Sequence, residues 1–66
     1  MEDVGKEIHR FRKERGYTQK YLADASQTTQ SHIANIEKGK VSPRLDTLSR
    51  IFEVLNVTLY LSDIEE

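Results

Sequence analysis

The apolar residues of this chain fall into four groups at helical spacing and one at strand spacing. Val4, Ile8 and Phe11 recur at i, i+4 and i+7 and predict a first helix over 3–15. Asp3 can cap its start, Gly16 ends it, and Tyr17 packs back beyond the cap. Leu22 and Ala25, with Ala23 beside them, give a second short helix its apolar face, and Ile33 and Ile36 do the same for a third. A tight turn lies between Ala25 and Thr29. The Thr29 hydroxyl can accept from a free amide of the third helix, and Gly39 can close that helix in the left-handed conformation. Ala23 is small where two steeply crossing helices must nearly touch. Lys40-Val41-Ser42-Pro43 reads as a linker, with Ser42 as N-cap and Pro43 in the first helical position. Leu45, Leu48, Ile51, Phe52 and Leu55 then form the wide apolar face of a fourth, core helix.

Period changes at the end of the chain. Val57-Thr58-Leu59-Tyr60-Leu61 alternates and is rich in strand formers, which predicts a β-strand. A short fifth helix capped by Thr58 is the competing reading, although Leu59 and Leu61 would then face different sides. Asp63-Ile64-Glu65-Glu66 is an acidic tail expected to fray. The expected class is therefore all-α: four helices over 1–56, and a strand and tail over 57–66. An unpaired strand leaves a row of amides and carbonyls without partners, and no other stretch looks like a strand. Its partner is then expected to be its own copy in a second chain, with Val57, Leu59, Tyr60 and Leu61 forming a dimer contact.

Size and composition narrow the function. Sixty-six residues make one small domain, and the absence of cysteine removes disulfides as a source of stability. No apolar run approaches the roughly 20 residues of a membrane span, and no signal peptide precedes the charged N-terminus, so a cytoplasmic protein is expected. The net charge of −1 divides unevenly. Residues 1–44 hold nine Lys/Arg against six Asp/Glu, whereas residues 45–66 hold one Arg against five Asp/Glu. A basic face with an acidic end turned away from it follows. No nucleophile with a base, no glycine-rich phosphate loop and no carboxylate pair stands out, so an enzyme is not expected. His9 and His32 lie on different helices without metal-ligand spacing, and no metal or cofactor is expected.

The chemistry sits in 18–39. Gln30, Ser31 and His32 crowd amide, hydroxyl and imidazole groups onto the exposed start of a helix, which is what a helix needs to read base edges in a DNA major groove. This stretch resembles the helix-turn-helix of the phage-repressor family, the Cro/C1 or XRE type. The pattern is carried by Thr18-Gln19, Leu22-Ala23, Ile33 and Ile36-Glu37-Lys38-Gly39, within a similarity extending over about 4–55. Ser26 and Thr28 depart from the small or apolar residues usual there. Gln27 replaces a glycine of positive φ, at a cost of about 1–2 kcal/mol, and a slack or differently wound turn is expected.

The resemblance implies roles residue by residue. Gln30 and Ser31 would read bases, with Asn35 one turn on and His32 as further contacts. Gln19 would brace Gln30 and reach a phosphate. Thr29, Lys40, Ser42 and Arg44 would hold the DNA backbone, as would the free amides opening the second and fourth helices. Arg12 and Glu37 would form a partly buried pair locking the third helix to the first, and the Arg12 edge would also meet a phosphate. The implied function is a bacterial or phage transcriptional repressor, dimeric on a palindromic operator in double-stranded DNA. A short member ending in a strand is similar to the HipB-type antitoxins, which implies autorepression and a kinase-like toxin partner. A phage or restriction-modification controller, or an interaction module that has lost DNA binding, stays open beside it.

Overall fold

The computed structural model describes residues 3–57. Among them the chain forms four helices, α1 (Val4–Glu14), α2 (Gln19–Ala25), α3 (Gln30–Glu37) and α4 (Leu45–Leu55). α1 and α2 each pack on both α3 and α4. The core is Ile8, Leu22, Ala23, Ile33, Ile36, Leu48, Ile51, Phe52 and Leu55, with Val4, Phe11, Tyr17, Val54 and Val57 half-buried around it.

Three helix starts are capped by the side chains that precede them. Asp3 accepts from the Lys6 amide, Thr18 from Tyr21 and Thr29 from His32. All four helices finish on a residue of positive φ: Gly16 at 71°, Gln27 at 65°, Gly39 at 78° and Asn56 at 60°. In each case the next amide reaches back to the last turn, Tyr17 to Arg12, Thr28 to Ala23, Lys40 to Asn35 and Val57 to Phe52. Gln27 thus adopts the glycine conformation in full, and the turn is wound normally rather than slackly. Its strain is offset by the paired amides and by the burial of Ser26, whose hydroxyl donates to the Leu22 carbonyl at 2.6 Å.

Some expectations change. Ser26, not Ala25, joins Leu22 and Ala23 on the inner face of α2, and Ala25 is exposed. α4 begins two residues later than Ser42 and Pro43 imply: Arg44 is extended at φ −68° and ψ 158° and makes no side-chain cap. An extended residue advances the chain about twice as far as a helical one, and 40–44 must carry it from the end of α3 to the start of α4. Leu45 consequently sits on the exposed first turn of α4, 57% accessible, instead of in the core. Val57 closes α4 through its amide and packs on the core, so it is part of the helix ending. Thr58, Leu59, Tyr60, Leu61 and the tail lie outside the described residues, as does the expected strand.

One close approach sets α1 against α3. Gly5 is buried against the backbone of α3, where a Cβ would run into the Ile36 carbonyl. The missing side chain lets the first turn of α1 rest on the last turn of α3, and brings His9 and Arg12 alongside Glu37.

Candidate nucleic-acid interface

α3 presents its surface in rows set by about 3.6 residues per turn. Ile33 and Ile36 are buried. Opposite them, Gln30, Ala34 and Lys38 make one row at i, i+4 and i+8, and Ser31 and Asn35 make the adjacent row. Gln30 and Ser31 are exposed, and Asn35 is half-buried. His32 is half-buried and lies roughly 160° around the helix from Gln30. The structure therefore brings Gln30, Ser31 and Asn35 onto one face and leaves His32 at its far edge.

On the Gln30 side that face is bordered by Glu37, whose carboxylate gathers three side chains from α1 and α2. Arg12 grips it in a fork, Nε to Oε2 at 2.7 Å and Nη2 to Oε1 at 3.1 Å. Gln19 Nε2 donates to Oε1 at 3.1 Å, and His9 Nδ1 lies 3.0 Å from the same oxygen. The same Nδ1 lies 3.3 Å from Arg12 Nη2, which can only donate; the shorter contact, to a carboxylate that only accepts, assigns the proton to Nδ1. The Arg12 and Glu37 side chains are 8% and 5% exposed. Burial alone would push the Glu37 carboxyl up; the hydrogen bonds from Arg12, His9 and Gln19, with the Arg12 charge, outweigh it and hold the group below the ordinary carboxylate range.

Two of these side chains make contacts the sequence did not indicate. Gln19 directs its amide nitrogen to Glu37 rather than bracing Gln30. Arg12 also donates through Nη1 to the Tyr17 carbonyl at 2.8 Å, so its guanidinium is held inside the protein and offers little edge to a phosphate. His9 was expected to do nothing here. Its partner stands 28 residues away in sequence, and only the close packing of α1 on α3 joins them.

The backbone-contact candidates stand around the face. Thr29 is exposed; its hydroxyl oxygen accepts from the His32 amide, which leaves the hydroxyl proton free to donate. Lys40, Ser42 and Arg44 are exposed along the segment after α3. Among the described residues Arg44 makes only a loose 3.7 Å pair with Asp46. Sequence reasoning missed Arg50, which donates from α4 through Nε to the Ser26 carbonyl at 2.9 Å and so pins the turn between α2 and α3.

Two short helices joined by a left-handed turn, the second with a buried stripe and a polar outer row, match a known pattern. The helix-turn-helix family profile covers residues 8–65. The chain belongs to this family, in its Cro/C1 or XRE branch. It is 36% identical over 55 residues to the HTH-type transcriptional regulator PuuR of Escherichia coli, covering 83% of this chain and 30% of that protein. It is 37% identical over 54 residues to the immunity repressor of Bacillus phage phi105, covering 82% and 38%. The regulator SinR of Bacillus subtilis is 29% identical over 58 residues, covering 86% and 52%. The chain thus spans well under two thirds of the length of these curated relatives. The crystal structure of the clp gene regulator ClgR from Corynebacterium glutamicum superposes with a TM-score of 0.84 at 23% identity, over 97% of this chain and 66% of that one, and shares the fold.

Proposed function

We propose that the protein is a sequence-specific DNA-binding transcriptional regulator, acting as a repressor, that lays the start of α3 into the major groove. The observation that carries this reading is the outer face of α3, with Gln30 and Ser31 exposed and Asn35 half-buried, held on a helix whose other side is locked into the core and whose last turn is fixed by Arg12 and Glu37. The Gln30 amide can fork onto adenine N6 and N7, with discrimination of about 1–3 kcal/mol. Ser31 and Asn35 read neighbouring edges. Gln19, Thr29, Lys40, Ser42 and Arg44 set the register on phosphates. The relatives' names, regulators and repressors, support the same reading.

One unit reads a half-site. Residues 1–56 form the reading domain, and two copies bind a palindromic site with half-sites about 34 Å apart. The pairing element of that dimer is the alternating segment 58–61. Leu59→Pro removes a ladder hydrogen bond; sedimentation is expected to show monomers, and an unchanged dimer places the interface elsewhere. The finer assignment, an antitoxin with a kinase-like toxin, rests on that same segment, and co-purification with the product of a neighbouring kinase-like gene tests it.

Selection from a pool of random duplexes tests the main reading. An inverted repeat should be enriched, with affinity that falls steeply as salt rises. A pool that gains no sequence, with no salt-dependent binding, would leave a protein-interaction module instead.

A further inference from the structure

Beside the reading face lies an open cleft of about 430 Å³ lined by Lys6, His9, Gln19, Ala34, Glu37 and Lys38. Ala34 and Lys38 belong to the Gln30 row of α3, so the cleft is continuous with the face assigned to the bases. Its lining is cationic at the surface. Lys38 is exposed, and Lys6, 81% exposed, pairs among the described residues only with Asp3, at 3.5 Å. The one carboxylate, Glu37, is covered by Arg12, Gln19 and His9 and is 5% exposed.

We propose that this cleft holds a backbone phosphate of the bound duplex, with Lys6, Lys38 and Nε2 of His9 as its donors, and that making the contact takes up a proton at His9. The inference rests on the DNA-binding reading and adds residues and a linkage to it. The argument for the proton is stereochemical. The 3.0 Å contact with Glu37 Oε1, shorter than the 3.3 Å one with Arg12 Nη2, assigns a proton to Nδ1. A neutral imidazole then has only a lone pair on Nε2, which repels a phosphate oxygen, whereas the imidazolium donates from both nitrogens. The His9 side chain is 52% exposed, and among the described residues Nε2 has no hydrogen-bond partner. The charged groups around the ring are Lys6 and Arg12 on its own helix and Glu37 and Lys38 on α3; α2 contributes the neutral Gln19. An arriving phosphate oxygen on the Nε2 side can accept only from a ring that also carries a proton there, which with Nδ1 protonated is the imidazolium.

The test is titration of a labelled duplex of arbitrary sequence with the full chain between about pH 6 and pH 8, where histidine is the side chain that ordinarily changes charge. The wild type should bind more tightly as pH falls, by at most about tenfold per pH unit for one linked proton. His9→Asn keeps a donor near the Nδ1 position and has nothing at Nε2; it should bind more weakly at low pH and lose the pH response. His9→Gln places a permanent N–H near Nε2, so it should retain affinity but respond to pH no more than His9→Asn does. His32→Gln should keep the wild-type response. Lys6→Ala and Lys38→Ala should each lower the salt slope by about 1. Equal melting temperatures of the His9 variants and the wild type show that folding is not the cause. A wild-type response that survives in His9→Asn overturns the proposal, as does duplex binding by the wild type that is flat with pH. Inorganic phosphate alone is the second probe: if it moves the His9 ring resonances as far as the duplex does, the cleft is a free-anion site and the assignment to a DNA phosphate is overturned. Failure of the wild type to bind any duplex at any pH is a different result, which defeats the DNA-binding reading and this inference together.

Discussion

Glu37 is the residue on which α1, α2 and α3 converge, and its charge has consequences for stability. Removing either member of the buried pair leaves the other desolvated, so Arg12→Ala is expected to cost about 3–5 kcal/mol. A double-mutant cycle with Glu37→Gln should give a large coupling energy; a coupling near zero would show that the pair does not act in solution. The Glu37 carboxyl is held below its ordinary range, so its stabilisation is present above the unfolded carboxyl pKa of about 4.3 and fades as pH falls through the lower folded value. Melting curves of the wild type and Glu37→Gln should therefore converge on acidification. A gap that stays constant down to the acid limb contradicts the assignment. Gly5→Ala forces a methyl onto the Ile36 carbonyl and should lose about 1–3 kcal/mol by chemical denaturation. The Arg12–Glu37 pairing was legible from the resemblance alone. Gly5 and His9 were not, because neither has a periodic or motif signal; their roles exist only once α1 lies against α3.

At the scale of elements, the helices could be read because their apolar stripes, caps and left-handed endings agree with one another. Asp3, Thr29, Gly16 and Gly39 all do what their residue types favour. Pattern failed where tertiary demand overrode it. Ser42-Pro43 is a strong helix-start signal, yet the segment is needed for reach, and α4 starts at Leu45. Gln27 lacks the residue type for its conformation, yet the paired Thr28 amide and the Arg50 clamp on Ser26 leave the chain no other path. Two substitutions follow. Gln27→Gly should relieve strain and raise stability by about 0.5–1 kcal/mol. Arg50→Ala frees the Ser26 carbonyl and should lower it by about 1 kcal/mol. Denaturant midpoints measure both, and a destabilised Gln27→Gly would mean that the side chain makes a contact outweighing its backbone strain.

The molecule as a whole is a rigid mount for one exposed row of side chains. Four short helices bury enough apolar surface to fix α3, and the polar network around Glu37 fixes its final turn, so the row is held before any partner arrives. Preorganisation of this kind lowers the ordering cost of binding. The family was legible in the sequence, and so was the exposed start of α3, since spacing and caps place Gln30 and Ser31 there. The Gln19 contact with Glu37 was not legible, because the direction of its amide depends on where Glu37 stands, which sequence spacing does not give. The central claim is that Gln30 reads a base. Its most direct test is Gln30→Ala titrated on the selected operator and on a scrambled duplex, with Lys40→Ala as control. The account predicts that Gln30→Ala loses about 1–3 kcal/mol on the operator alone, while Lys40→Ala weakens both duplexes about equally. A specific-to-scrambled ratio left unchanged by Gln30→Ala would contradict it.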